Sequence, residues 1–392
     1  MSDRTMRLPV WLISVALLTA ACTWGASPGQ SGCQLSEVPN SSAEKAVPSS
    51  VAAVGDYVVV VGTGYVGSRA GAFAGQGKDG VWTPGAIHGY TRLLEIDDVA
   101  GFHADAWAVG AIGTRAPAIV RWDGNAWSPA TVGDPGPADD GLAGVVALSS
   151  RSAWAVGRHD VGIGSRTLIE RWDGHSWKPV PSPNEGATSS ALKDVAAIEP
   201  DDGWAVGWFV ERGRYRTLAE HWDGTRWSVV PTPDPGGADA LLSGVVARGH
   251  DDVWAVGWTT QDDGTLHPLV ERWDGRVWNV VETPSSLGDA ALSGIAATAT
   301  GVVVVGRQVA GSDIHPVALL EEDGAWTGVP VEVSDNSAWL TGVIVDAQRM
   351  IWAVGSRAPN NGLTSSLLVT GCSVSPPGTF ADAGSTGAAA SG

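Results

Sequence analysis

The tetrapeptide Trp-Ala-Val-Gly recurs at 107–110, 154–157, 204–207, 254–257 and 352–355, and no other feature constrains the chain as strongly. Two degenerate copies, Val59-Val60-Val61-Gly62 and Val303-Val304-Val305-Gly306, fill the gaps. The closing glycines at 62, 110, 157, 207, 257, 306 and 355 are spaced by 48, 47, 50, 50, 49 and 49 residues. One supersecondary unit is therefore copied seven times, and such a unit buries its apolar face only by stacking on its neighbours.

The clearest copy contains four short apolar segments, at 192–198, 203–207, 217–223 and 227–231. Each is rich in Val, Trp, Leu or Ile and bounded by Gly, Pro or Asp, which predicts strands; they are labelled A to D. Between C and D runs Trp-Asp-Gly-x-x-Trp, at 122–127, 172–177, 222–227 and 273–278, shortened to Asp-Gly-x-Trp at 79–82 and 323–326. Asp-Gly between two aromatic-bearing strands is a hairpin signal, because Gly takes positive φ and Asp bonds back to the turn. A helical bundle is excluded by 52 Gly and 23 Pro in 392 residues. The expectation is an all-β, seven-bladed β-propeller with four antiparallel strands per blade.

From about residue 33 to 372 this layout resembles the kelch-type repeat, with one glycine after strand B where kelch repeats carry two. The Trp172-Asp173 pair is similar to the WD40 dipeptide, and the Asp-to-Trp hairpin is similar to the Asp-box of sialidases.

The seventh copy has strands A, B and C at 340–345, 351–355 and 366–371 but no D. Val38-Pro39-Asn40-Ser41-Ser42 ahead of Val51 parallels Val180-Pro181-Ser182-Pro183-Asn184 ahead of Leu192, so the segment 35–39 should complete the last blade and close the ring. Aligned on the repeat, Cys372 takes the place of Asp173 and Cys33 falls near His175, facing positions of one hairpin. A Cys33–Cys372 disulfide is expected in an oxidising compartment.

Arg4 and Arg7 precede an apolar run at 8–21, the charge order of an export signal. Its end, Leu18-Thr19-Ala20-Ala21-Cys22, resembles a bacterial lipobox, with Thr19 where Leu is usual. The resemblance implies a signal peptide at 1–21 and an acylated Cys22 anchored to the outer face of the bacterial cell membrane. The alternative is ordinary cleavage, a free Cys22 and secretion. Residues 22–32 then form a tether, 33–372 the propeller, and the Gly, Ala and Ser rich stretch 373–392 a disordered tail.

A net charge of −18 repels nucleic acid and anionic lipid, leaving the lipid anchor as the membrane contact. Gly62-Thr63-Gly64-Tyr65-Val66-Gly67 fits a dinucleotide fingerprint, but glycines follow where a helix is required, and Gly62 is the repeat glycine. Asp201-Asp202 and Asp251-Asp252 read as A–B turns. The His are scattered without ligand spacing, and with Tyr57, Tyr65, Tyr90 and Tyr215 the only tyrosines, no tyrosine-histidine copper site is expected. No catalytic residue, metal or cofactor is assigned.

Of the 20 Trp, 15 sit at repeat positions and are core. Trp208 and Trp258 break the pattern, each following the repeat glycine and opening a B–C loop. Chain direction reverses at every strand, so B–C and D–A loops share one face. That face also collects Tyr65, Arg69, Arg158, His159, Phe209, Arg212, Arg214, Tyr215, Arg307 and Arg357. Aromatics beside Arg on loops over a rigid scaffold suit recognition of a protein or carbohydrate ligand. The candidate ligand-binding set is Trp208, Phe209, Arg212, Arg214, Tyr215, Trp258, Arg158 and His159. The function expected is a monomeric, non-catalytic extracytoplasmic binding or scaffold module; the alternative is a carbohydrate-active hydrolase or lyase on the same scaffold.

Overall fold

Side chains alternate across a strand, so Trp-Ala-Val-Gly presents Trp and Val to one side and Ala and Gly to the other. In the fourth copy Trp204 and Val206 pack on Leu242, Val245, Ala255 and Trp278 of the following copy. Ala205 packs on Trp154, Val156 and Ile169 of the preceding one. A strand with two buried faces is the middle of a stack, and seven such stacks make a ring.

The computed structural model describes residues 33–374 apart from 39–45, 67–68, 79–80, 84–86, 88–93, 114–115, 134–139, 185–186, 336 and 359–363. The export signal, Cys22, the tether and residues 375–392 lie outside the described residues. Strands A to D are Val47–Val54, Tyr57–Val66, Arg69–Lys78 and Val81–Thr83 in blade one. In blade two they are Leu94–Phe102, Asp105–Ile112, Pro117–Trp122 and Trp127–Pro129. Blade three has Gly141–Ser149, Ser152–Asp160, Ser165–Trp172 and Trp177–Pro179. Blade four has Ser190–Glu199, Asp202–Glu211, Arg214–Trp222 and Trp227–Val229. Blade five has Asp239–Gly249, Asp252–Thr260, Leu266–Trp273 and Trp278–Val280. Blade six has Ala290–Ala297, Gly301–Ala310, Asp313–Glu322 and Ala325–Gly328. Blade seven has Ala338–Val345, Met350–Arg357 and Ser365–Ser373, with Leu35–Glu37 as its D strand.

The seven-bladed propeller is therefore closed by the N-terminal strand, which pairs antiparallel with Ser365–Ser373. Arg357 secures it from blade seven, its Nη1 lying 2.9 Å from Glu37 Oε2. The first blade then packs on the seventh, Val58, Val60 and Phe73 against Val354 and Leu368. One addition is absent from the repeat: Val331–Glu332 pairs parallel with Leu35–Glu37 as a fifth strand of the seventh sheet. The C strand of blade seven ends at Ser373, and Val374 is buried, its N–H donating to Arg349 O.

The repeat glycine answers to strand A. A Cβ on Gly207 would lie 2.1 Å from Ala191 O and 2.8 Å from Leu192 Cα, distances no side chain tolerates. At the same level every A strand carries a β-bulge, leaving Ser49, Asp97, Ala143, Lys193, Ser243, Ser293 and Thr341 out of the ladder. The bulged residue is unpaired and the strand bends there, so seven bulges set a ring of side chains about the central axis.

Tryptophans fill the gaps between blades. Trp154 of blade three lies 5.0 Å from Trp222 and 5.3 Å, edge-on, from Trp227 of blade four. Trp107 meets Trp172 and Trp177 in the same way, and Trp204 meets Trp273 and Trp278. Between blades six and seven smaller groups take these places: Val303, Gly371 in line with the C-strand tryptophans, and the fully buried Leu35. The Cys33–Cys372 disulfide closes that hairpin, with Cα atoms 4.8 Å apart and a sequence separation of 339 residues.

Cross-linking so long a loop removes unfolded-state entropy worth up to roughly 5 kcal/mol. Replacing both cysteines by Ser should lower unfolding free energy by a few kcal/mol in denaturant titrations, and reduction of the wild-type protein should mimic the substitution.

Candidate functional site

At the bulge ring two copies depart from the common pattern with charged residues. Four copies read apolar-x-Gly-aliphatic through the bulge: Leu142 to Val145, Leu242 to Val245, Leu292 to Ile295 and Leu340 to Val343. Blades two and four instead place Asp97-Asp98 and Lys193-Asp194 there. Asp98 accepts from Ser50 Oγ of blade one at 2.6 Å and from the Val145 N–H of blade three at 2.7 Å. Asp194 accepts from the N–H groups of Val195 at 2.7 Å and of Val245, in blade five, at 2.8 Å. These carboxylates thus bond strand A of one blade to strand A of the next.

Burial pushes the Asp194 carboxyl up to about 8, and the charge of Asp98 adds to the effect. Asp98 is raised too, by burial, against the hydrogen bonds it accepts. Asp97 stands at about 6, raised chiefly by burial, with Lys193 and Arg158 opposing and Glu95 and Asp98 reinforcing. The ring therefore holds carboxyls that gain or lose charge near neutrality, beside the ammonium of Lys193.

A cavity of about 220 Å³ lies within this ring. It shares Asp97, Ala143 and Lys193 with a larger cavity, about 420 Å³, whose walls come from blades two to four. Glu95, Asp97, Asp140 and Asp160 supply acids, Arg158 and Lys193 supply cations, and Trp208 forms an aromatic wall. The larger cavity lies on the face of the B–C and D–A loops. A mixed-charge pocket with one aromatic wall can orient a polar segment and stack against a flat or apolar part of it.

Two of the sequence-predicted residues, Arg158 and Trp208, line this cavity. His159 stands behind it, its Nδ1 2.7 Å from Oδ1 of the buried Asp140. Trp208 meets Tyr215 edge-on at 4.8 Å, and the Tyr215 N–H donates to Asp239 Oδ1 at 2.7 Å. Phe209 packs with the core between blades three and four. Arg212 sits at the B–C tip with φ 52°, and Arg214 Nη2 lies 3.8 Å from Asp262 of blade five. Trp258 occupies the place on blade five that Trp208 holds on blade four, paired with Pro268 where Trp208 pairs with Thr217. It shares the face but not the cavity lining. Arg357, another cation of this face, is held by Glu37 and Asp335. Among the described residues no cluster of three or more His, Cys, Asp or Glu is arranged to hold a metal ion.

Asp97, Asp98, Lys193 and Asp194 were not among the expected site residues. Their signal lies in strand A, where removing the common pattern from each copy exposes them as the polar exceptions; a comparison limited to loops passes over them.

A second set of carboxyls lies between blades. Glu170, Glu220 and Glu271 occupy equivalent C-strand positions in blades three, four and five and are completely buried. Burial raises them to about 7, 8 and 8. Glu170 faces the Gly133 backbone, Glu220 accepts from Ser182 Oγ at 2.8 Å, and neither Glu271 oxygen is bonded among the described residues. An unfolded Glu loses its proton near 4.5, whereas the folded protein keeps these protons to higher pH. Unfolding therefore releases protons between those values, and stability falls as pH rises. Thermal melts should show the melting temperature falling between pH 5 and pH 8, each group contributing at most ~1.4 kcal/mol per pH unit. Glu271→Gln should flatten part of that slope and stabilise the protein at pH 8.

No protein-family model matches the chain, and no curated protein matches it. Solved structures do. One of YCF48 bound to D1 peptide aligns with a TM-score of 0.56 at 15% identity, covering 86% of this chain and 97% of that one. Likeness at this identity establishes a shared propeller fold.

Proposed function

We propose that this chain is a tethered extracytoplasmic propeller that binds an extended segment of a partner polypeptide at its channel mouth and catalyses no reaction. The observation that carries the reading is the 420 Å³ cavity at the bulge ring, where the copies depart from their common pattern and place Arg158, Lys193, Asp97 and Trp208 around one opening. A stack that needs only to fold has no use for Asp97 and Lys193, since the other five blades place Ser, Ala or Thr at that bulge position. The structural neighbour YCF48, solved with D1 peptide, supports a protein partner. Four acids against two cations around the cavity favour a segment carrying Lys or Arg, its apolar part lying on Trp208.

The lipobox-like stretch ending at Cys22 supports anchoring to the outer face of the bacterial cell membrane, with 22–32 as the tether and the kelch-like repeats held above the bilayer. Trp258, Phe209, Arg212, Arg214, Tyr215 and His159 belong to the same face, and in this reading they guide the segment toward the cavity or shape its rim.

A second reading, a carbohydrate-active hydrolase or lyase, draws on Asp97, whose carboxyl at about 6 has the protonation behaviour a general acid needs.

Arrays of short peptides and of glycans, probed with the mature protein, test both. Peptide binding should depend on Lys or Arg in the segment. Trp208→Ala and Asp97→Asn should each weaken binding about tenfold while shifting the melting temperature little. Unchanged affinity in both variants would overturn the assignment. Glycan binding accompanied by turnover that Asp97→Asn abolishes would establish the second reading instead.

A further inference from the structure

The opposite face, where A–B and C–D turns emerge, carries a feature that neither the fold nor the channel mouth requires. In each interblade gap from the second blade to the fifth, the B-strand tryptophan of one blade meets C-strand and D-strand tryptophans of the next. At the seam between blades seven and one two of the three rings are present. Trp352 supplies the B-strand ring and Trp82 the D-strand ring. The C-strand place, paired with the residue before the B-strand tryptophan position, holds Gly77 opposite Val58 and Trp82. The vacated space is a cavity of about 440 Å³, lined by Gly77, Trp82, Trp352, Gly55, Tyr57 and Met350 among others. Trp352 is only half-buried, whereas its counterparts Trp107, Trp154, Trp204 and Trp254 are buried.

Blades three and five show what such a space accepts, whereas in blade four the Trp222 N–H has no partner among the described residues. Trp172 Nε1 donates to Ser150 O at 3.0 Å, and Trp273 Nε1 donates to His250 O at 3.2 Å. Both acceptors lie four residues before the B-strand tryptophan, in the A–B turn. The residue at that place in blade one is Gly55, and it lines the cavity. The seam thus combines two aromatic walls, Trp352 and the Trp82 ring that lies over Gly77, and a carbonyl at the place that receives an indole N–H in blades three and five. Its edge is polar: Lys78 Nζ lies 3.1 Å from Asp56 Oδ2 and 5.0 Å over the Tyr57 ring.

We propose that the seam cavity between blades seven and one is a binding site for an indole ring, taken in trans where blades two to five supply it in cis. The ring packs between Trp82 and Trp352 beside Gly77 and donates its N–H to Gly55 O. Two sources share that chemistry, a tryptophan side chain on a partner polypeptide and a free indole-bearing small molecule.

Met350 provides the readout, because it lies in the cavity wall and the chain has 3 Met, the other two being Met1 and Met6. The protein labelled with ¹³C-methyl methionine is titrated with N-acetyl-L-tryptophanamide, N-acetyl-L-leucinamide, free indole and a pentapeptide with a central Trp. The Met350 methyl should shift saturably with the tryptophan amide, with a Kd on the order of 0.1–1 mM, and the leucine amide should bind about tenfold more weakly. A pentapeptide binding more tightly than free indole identifies a polypeptide source, and the reverse order identifies a small molecule. Gly77→Trp fills the site from within: its Cβ meets Trp82 Cε3 at 3.0 Å, so the Trp82 ring must turn aside to the spacing of 5.9–6.1 Å that separates the C- and D-strand rings in blades three to five. This variant should lose binding about tenfold or more and melt at a higher temperature. A Met350 signal unmoved by the tryptophan amide, equal binding of the leucine amide, or wild-type binding by folded Gly77→Trp would each overturn the proposal. Should Gly77→Trp fail to fold, the wild-type titration decides alone.

Discussion

The indole-on-indole contact between consecutive blades is the interaction on which the rest of the structure depends. Trp154 and Trp204 are almost wholly buried, yet neither is enclosed by its own sheet; each is covered by the next one. A single blade therefore cannot fold to completion, because its B-strand ring and valine would face water. Each tilted or edge-on aromatic pair contributes about 0.5–1.5 kcal/mol beyond the area it buries. Repeated from blade to blade, the contact leaves one apolar face exposed at each end of the array until those ends meet. Closure is thus a requirement of the repeat, and the N-terminal strand, the Glu37–Arg357 ion pair and the Cys33–Cys372 bond all serve it.

The same geometry separates framework from recognition. Blades packed through their sheets bring seven A strands side by side around the axis, and each bulge there frees one residue from the ladder. Most copies spend that position on small residues. Blades two and four place charges there, and their carboxylates also bond neighbouring A strands, so the groups that shape the cavity help hold the ring. Their raised protonation values follow from enclosure by the ring. The glutamates of blades three to five keep their protons to higher pH for the same reason, buried in the interblade gaps.

Much of this was legible in the sequence. The glycine period gave the blade count, the Trp-Asp-Gly turns gave the hairpins, and the missing seventh D strand led to the closing segment and the disulfide. These are features that every copy must repeat, and repetition makes a constraint visible. What was not legible was local. Val331–Glu332 is two residues long and carries no alternating pattern, so its parallel pairing follows from where the chain passes. Glu170 precedes Arg171 and Trp172 in a stretch that reads like the polar half of an exposed strand, and only the neighbouring blade buries it. Trp208 and Trp258 look equivalent in sequence, but the cavity opens toward blades two and three, which places Trp208 on its wall and Trp258 outside it.

The central claim is that the blades are coupled through their tryptophans, and a double-mutant cycle across the gap between blades four and five measures it directly. Trp204→Ala, Trp278→Ala and the double variant are unfolded in denaturant under identical conditions. Each single substitution should cost about 3–5 kcal/mol, and the two losses should overlap by about 1 kcal/mol or more, because each ring has lost the other's contact. Losses that add to within ~0.5 kcal/mol would contradict the account, since the rings would then be buried side by side without holding the blades together.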